Sequence, residues 1–217
     1  MHIDPSIAPA RKARGSALSR RTEILSAAKR LFLADGYERA TIRKIASAVG
    51  VSSAALYLYF PDKDAILRGI AEETFNALLA RLEAARHGPG DALTRMRATM
   101  LAYIAFGRAH PDEYRLTFLS KMMSASSPGR YAEACSDIEA ADRSFDLLVQ
   151  DSRALIEAGL FRPIDPVEAA EALWACTHGA TAMLIDHIEH LTTDSDRLAD
   201  RVVDIAMRGM CAPQNDH

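Results

Sequence analysis

Residues 41–60, TIRKIASAVGVSSAALYLYF, constrain this chain more than any other stretch. Ile42, Ile45, Ala46 and Val49 recur at helical spacing and mark the buried face of a short helix. Thr41 stands directly before them with the hydroxyl oxygen that an N-cap uses to accept a backbone N–H. Gly50 stands where the chain leaves that helix, a position favouring a residue that tolerates positive φ. Val51 is a small apolar plug, Ser52 a second N-cap, and Ala55, Leu56, Tyr59 and Phe60 give a second helix its apolar face. Pro61 ends it, because proline disfavours the helical conformation in the residue before it. Two helices joined by a tight glycine turn make a helix-turn-helix, the geometry that lays its second helix in a DNA major groove.

The flanking residues narrow this further. The run A-x-x-L-F-x-x-x-G-Y precedes the unit at Ala28–Tyr37, and L-Y-x-Y-F-x-x-K closes it at Leu56–Lys63. Residues 20–67 as an ordered set resemble the DNA-binding domain of the tetracycline-repressor (TetR) family of transcriptional regulators. The resemblance implies a three-helix helix-turn-helix domain followed by a helical ligand-binding and dimerisation domain. The divisions expected on this chain are a basic flexible arm over 1–18, the reader over 19–66 and the body over 67–217. Composition agrees on fold class: 49% hydrophobic residues, rich in Ala and Leu, with no alternating stretch long enough for a sheet, predict an all-α protein.

Charge is unevenly spread. Residues 1–60 carry ten basic and four acidic side chains, a net of +6, leaving sixteen against twenty-five, or −9, for the remainder. A basic head on an acidic body fits a polyanion reader joined to a part that stays off DNA. Cys135, Cys176 and Cys211 are odd in number and far apart, which predicts free thiols in a reducing cytoplasm. The N-terminus shows no apolar run of a secretory signal. The uncharged run Ala172–Ile185 is shorter than the ~18 residues that predict a membrane span.

Arg11, Lys12 and Arg14 follow a stretch with prolines and small polar residues, read as an arm that is disordered when free. Such an arm either lies in the adjacent minor groove, where negative potential attracts Arg, or is a solvated tail. Ser19 is expected to cap helix 1, whose stripe is Ile24, Ala27, Ala28, Leu31 and Phe32, with Tyr37 folding beneath it. The family resemblance implies phosphate contacts from Thr41, Arg43, Tyr57 and Lys63, and base-edge contacts from Ser52, Ser53, Ala54, Ala55 and Leu58. This chain departs from the family pattern at 53, 55 and 58, where polar residues are common. Only the two serines can hydrogen-bond a base, while Ala55 and Leu58 can at most touch thymine methyls. Direct readout is therefore expected to be modest, with the arm and DNA shape supplying the rest. For Tyr59, core packing is the expected role.

In the body, helices are predicted over about 63–86, from Asp91, from His110-Pro111, over 131–159, from Asp165-Pro166, and at the C-terminus, with a loop at 124–129. On the helix after Asp165, Val167, Ala170, Trp174, His178, Thr181, Ile185 and Ile188 share one face, and Ala172, Ala175, Gly179 and Ala182 the other. The small stripe invites a close helix, either the last helix of the same chain or a second subunit across a two-fold axis. Val202, Ile205 and Ala206 give that last helix a matching stripe, and the resemblance implies a four-helix bundle between two subunits. Trp174, His178 and Gly179 also resemble the W-H-G triad of one TetR subgroup.

Trp174 and His178 project inward one turn apart, and facing helices offer Tyr103, Phe106, Tyr114, Phe118, Met122 and Phe145. These suit either an ordinary core or an apolar cavity for a small apolar or amphipathic effector, and the resemblance implies the cavity. His187 and His190, three residues apart near Asp186, have no evident third ligand, so no metal is expected. No Ser/His/Asp set or glycine-rich phosphate loop is present, and neither catalysis nor a cofactor is predicted. The reading is a homodimeric, ligand-responsive transcriptional regulator, most simply a repressor on a near-palindromic double-stranded operator. The alternatives are an activator, or a nonspecific DNA-binding or small-molecule-sequestering protein.

Overall fold

The structure, a computed structural model, describes the backbone of residues 9–119 and 137–212 and the side chains of 18–119 and 137–212. Those residues form helices with a single isolated β-bridge and no strand, the all-α class expected. They divide into two compact units at Ala71/Glu72, inside one helix.

The first unit holds α1 (Pro9–Asp35), α2 (Ile42–Ala48), α3 (Ser53–Tyr57) and the start of α4 (Lys63–Arg86). α1 begins ten residues before the Ser19 cap read from the sequence. Pro9 suits a first turn because its missing N–H would be unsatisfied there, and Ala10–Arg14 are good helix formers. The stretch 9–18 is thus helical rather than an irregular arm, while residues 1–8 lie outside the described residues. Ser19 sits inside α1, where its Oγ donates to Glu23 Oε1 at 3.2 Å. Ile24, Leu25, Ala27, Ala28 and Phe32 bury one face of α1, joined by Ile45, Ala46, Leu56, Phe60, Ile66 and Leu67. Leu31 is only half-buried. Tyr37 folds under Phe32 with ring centroids 5.2 Å apart, as the sequence predicted.

The second unit comprises the rest of α4, α5 (Ala92–Ala109), α6 (Pro111–Tyr114) continuing as a π-helical turn (Arg115–Leu119), α7 (Glu139–Glu157), α8 (Pro166–Asp186) and α9 (Ser195–Met210). Caps predicted at Asp91 and Asp165 are present: Asp91 accepts from Thr94 N at 2.8 Å and Asp165 from Val167 N at 2.8 Å. Each such cap contributes about 1 kcal/mol. α8 is central and packs against α5, α7 and α9. Its buried face is Ala169, Ala170, Leu173, Thr177, Ala180, Thr181, Leu184 and Ile185. An antiparallel bridge, Phe161 to Cys211, ties the turn after α7 to the end of α9, with Arg162 N donating to Met210 O at 2.8 Å.

Three expectations shift. α8 ends at Asp186 with His187 as its cap, so Ile188 and His190 fall in a separate 3-10 turn and Ile188 leaves the inward face. Val167, at the first turn of α8, is likewise exposed. The helix predicted over 131–159 is described from Glu139; its earlier part, the 124–129 loop, Met122 and Cys135 lie outside the described residues.

Candidate nucleic-acid interface and ligand cavity

In the first unit the caps that shape the reader are those of the sequence reading. Thr41 Oγ1 accepts from Lys44 N at 3.3 Å and Ser52 Oγ from Ala55 N at 3.1 Å. Gly50 joins the helices at φ 69°, where a side chain would be strained. α3 is short, and only Leu56 on it is buried. Its outer side chains therefore face water: Tyr57 is 52% and Leu58 85% exposed. Ala54 is exposed and Ser53, Ala55 and Tyr59 are intermediate, so Tyr59 packs only in part.

The cations nearby differ in availability. Lys44 is paired with Asp35 at 2.6 Å, which holds the Asp35 carboxyl below its usual range through that hydrogen bond and charge. Arg20 is paired with Glu23 at 2.6 Å. Lys63 donates to Tyr37 O at 2.7 Å and lies over the Tyr37 ring at 3.9 Å, while the Tyr37 hydroxyl bonds Asp64. Lys63 thus secures α4 to the Tyr37 bend, besides any role toward phosphate. Arg43 is exposed and has no ion pair among the described residues. Arg11, Lys12 and Arg14 lie on the first turns of α1; their side chains are outside the described residues.

The second unit encloses a cavity of about 700 Å³, within the ~300–1,000 Å³ usual for small-molecule sites. Of the predicted lining, Tyr103, Phe118, Phe145 and Trp174 are there. Phe106 and Tyr114 are not: both are buried in the core with Leu78, Leu82 and Ile185, and Phe106 packs on His110 with centroids 4.8 Å apart. The sequence reading missed Phe75, Leu78 and Leu82 from α4, whose four- and three-residue steps carried the signal, and Thr99, Met100 and Thr177 from α5 and α8. It also missed three lining carboxylates, Asp142, Asp146 and Glu171.

A polar chain runs from the cavity wall into the core. Trp174 Nε1–H, which can only donate, reaches Tyr103 Oη at 3.2 Å. Tyr103 Oη is 3.1 Å from Tyr114 Oη, which is 2.7 Å from His178 Nδ1. Tyr103 Oη is also 3.3 Å from His178 Nδ1, so either phenol can donate to that nitrogen when it is unprotonated. Burial raises both phenols above their usual range, so they stay protonated, and it depresses the His178 pKa, which favours a neutral ring able to accept from a phenol. His178 is therefore a supporting group behind Tyr103, not a lining one.

A pH dependence follows. The unfolded chain protonates His178 near its ordinary value of 6.5, whereas the folded chain takes that proton only at lower pH. Stability is full above about 6.5 and falls as pH drops below it. The melting temperature should decline from about pH 7.5 to 5.5, and His178→Gln, which can still accept from Tyr114, should flatten that decline. An equal slope in both proteins would remove His178 as its source.

The stripe Ala172, Ala175, Gly179 and Ala182 lies opposite the buried face of α8: Ala175 and Gly179 are exposed and the other two half-buried. On α9, Ile205 is 63% exposed and Val202 partly buried, but Ala206 is buried in the chain's own core. The three- and four-residue steps from Val202 that grouped Ile205 with Ala206 could not tell the inner face from the outer one. The 3-10 turn brings Glu189 beside His187 and His190, with one ligand atom from each within 4.8 Å, a third group the sequence reading had not seen. All three are exposed; His190 Nε2 lies 3.5 Å from Glu189 Oε1, and the two imidazoles stack with centroids 6.3 Å apart. Cys176 is exposed and Cys211 half-buried, both free. No helix among the described residues is long and apolar enough to cross a membrane.

Comparison with known proteins covers both units. Residues 24–70 match the family described as bacterial regulatory proteins, tetR family, and residues 96–206 match the tetracyclin repressor-like C-terminal domain. Curated relatives include the nucleoid occlusion factor SlmA of Cronobacter sakazakii, 36% identical over 99 residues, which are 45% of this chain and 50% of that protein. The SlmA of Salmonella typhi is 37% identical over the same shares. The matched region thus spans about half the length of these relatives. Among solved structures, a tetR-family regulatory protein of Rhodococcus RHA1 is 26% identical with a TM-score of 0.71, covering 89% of this chain and 98% of that one. The TetR-family regulator PfmR of Thermus thermophilus is 26% identical at a TM-score of 0.66, covering 85% and 97%. A protein of unknown function from Rhodococcus sp. RHA1 is 28% identical at 0.71, covering 88% and 95%.

Proposed function

The chain belongs to the TetR family of bacterial regulatory proteins, and on that premise we propose that it is a homodimeric repressor released from its operator by a small molecule. One juxtaposition within the chain carries this reading: a helix-turn-helix with exposed, uncommitted outer side chains, followed by a unit holding a lined cavity of about 700 Å³. α4 is the covalent link, since its first residues belong to the reader and its Phe75, Leu78 and Leu82 line the cavity. The face of Ala172, Ala175, Gly179 and Ala182, extended by Val202 and Ile205, supports a second copy packing across a two-fold axis. A two-fold protein reads a near-palindrome, with half-site centres about 34–36 Å apart or somewhat more. An effector shifts the DNA equilibrium only by its differential affinity for two conformations, and a coupling of about 1–3 kcal/mol gives about 5–150-fold loss of DNA affinity.

Gel shifts on the chain's own upstream region against random DNA, with and without cavity-binding compounds, test the reading. Equal affinity for both DNAs would favour a nonspecific binder, and upstream activation in a reporter would favour an activator. Within the reader, Arg11, Lys12 and Arg14 are assigned to DNA backbone or minor-groove contact. Replacing all three with glutamine should weaken operator binding and lower the slope of log affinity against log salt by about 0.9 for each phosphate no longer neutralised. An unchanged slope would remove these residues from the interface.

A further inference from the structure

We infer that the effector is a lipophilic cation: an aromatic or branched apolar body with a fixed positive charge, held at the cavity wall by Asp142, Asp146 and Glu171. The inference rests on the reading of this cavity as the effector site. Most of the lining is apolar or aromatic, including Phe75, Phe118, Phe145 and Trp174, yet three carboxylates also line it and, among the described residues, no Lys, Arg or His does. Among the described residues none of the three carboxylates has an ion pair, because the neighbouring cations are engaged elsewhere. Arg143 reaches Glu83 at 2.9 Å and Glu139 at 3.9 Å, and Arg86 reaches Asp151 at 2.7 Å.

Asp142 and Asp146 stand four residues apart on α7, so they share a face and repel one another in the empty protein. A cation between them relieves that repulsion. The three side chains are exposed, so they stay hydrated without a ligand and the fold bears no burial penalty for them. The ring faces of Phe145 and Trp174, with centroids 6.2 Å apart, add attraction for a positive charge within about 6 Å. An anionic effector would meet three like charges, and a neutral one would leave them without a role. The net charge of −9 over residues 61–217 also raises the local concentration of cations.

Three probes of similar shape test the charge: methyltriphenylphosphonium, neutral triphenylphosphine oxide and the methyltriphenylborate anion. Trp174 is the chain's single tryptophan and lines the cavity, so its fluorescence reports occupancy. Operator release is measured in parallel with the full-length protein. The phosphonium should bind about tenfold more tightly than the oxide, more weakly as salt rises, and the borate least. Asp142→Asn/Asp146→Asn/Glu171→Gln should cost the phosphonium about tenfold and the oxide less than twofold; Asp146→Asn alone serves if the triple variant fails to fold. Oxide or borate binding as tightly as the phosphonium, or an unaltered phosphonium affinity in the variants, overturns the inference and leaves the sensor reading intact. Failure of all three probes to alter Trp174 fluorescence or operator binding overturns both.

Discussion

Gly107→Ala should destabilise the cavity-bearing unit by about 1–2 kcal/mol, although the same change inside a helix ordinarily adds about 1 kcal/mol. Gly107 lies within α5 and is buried. A Cβ there would stand 2.2 Å from Thr181 Cγ2 and 3.0 and 3.2 Å from two ring carbons of Tyr114. Neither neighbour can give way cheaply. Thr181 is fully buried on α8, and its hydroxyl donates to Thr177 O at 2.7 Å, which fixes its rotamer. Tyr114 is also fully buried and is held by Tyr103 and His178. Overpacking of this kind costs about 1–3 kcal/mol, and the 2.2 Å approach belongs at the upper end, so it outweighs the propensity gain. The urea midpoint should fall, and Thr181→Ser, which removes Cγ2 and keeps the hydroxyl, should restore most of the loss in the double variant. A midpoint unchanged or raised in Gly107→Ala would show that α5 and α8 can separate here without cost. Because Tyr114 leads through Tyr103 to Trp174, the single variant should also alter Trp174 emission.

Gly107 also marks the limit of what the sequence discloses. The reader was legible because its physics is local: Thr41 and Ser52 satisfy N–H groups three residues ahead, and Gly50 answers to its own φ. The same holds for Asp91 and Asp165, and in part for the stripe of α8, where Ala170, Thr181 and Ile185 are buried as read but Trp174 is 42% exposed and the buried Leu173 was not read. The significance of Gly107 resides in Thr181, far along the chain, and no spacing rule joins them. The cavity shows the same division. Trp174 and Tyr103 were found by type and helical phase, whereas Phe75 and Leu78 belong to it only because of how α4 packs within the unit. Tyr114 and Phe106 had the right chemistry and the wrong depth. Ser19 failed as a cap because Pro9 offered an earlier start, a competition that one local signal does not reveal.

Leu58→Asp should reduce operator affinity by about a hundredfold and leave folding stability within about 0.5 kcal/mol of the parent. The second expectation follows from exposure. Leu58 is 85% exposed at the C-cap of α3, and its backbone N–H bonds Ala55 O at 3.3 Å whatever its side chain. Aspartate at this helix end costs only a few tenths of a kcal/mol. The first follows from docking this face in a major groove. A leucine kept in water forgoes about 1.5–3 kcal/mol of burial, part of which is recovered against thymine methyls and sugar edges. Aspartate forfeits that gain and adds a negative charge facing phosphates, and about 2.8 kcal/mol in all corresponds to a hundredfold. Leu58→Ala removes the apolar contact alone and should cost only several-fold. The gap between the two variants should narrow as salt rises, because only the aspartate term is screened. Equal losses at every salt concentration would place position 58 away from the phosphates, and parent-like affinity in Leu58→Asp would move the DNA-reading surface off the outer face of α3.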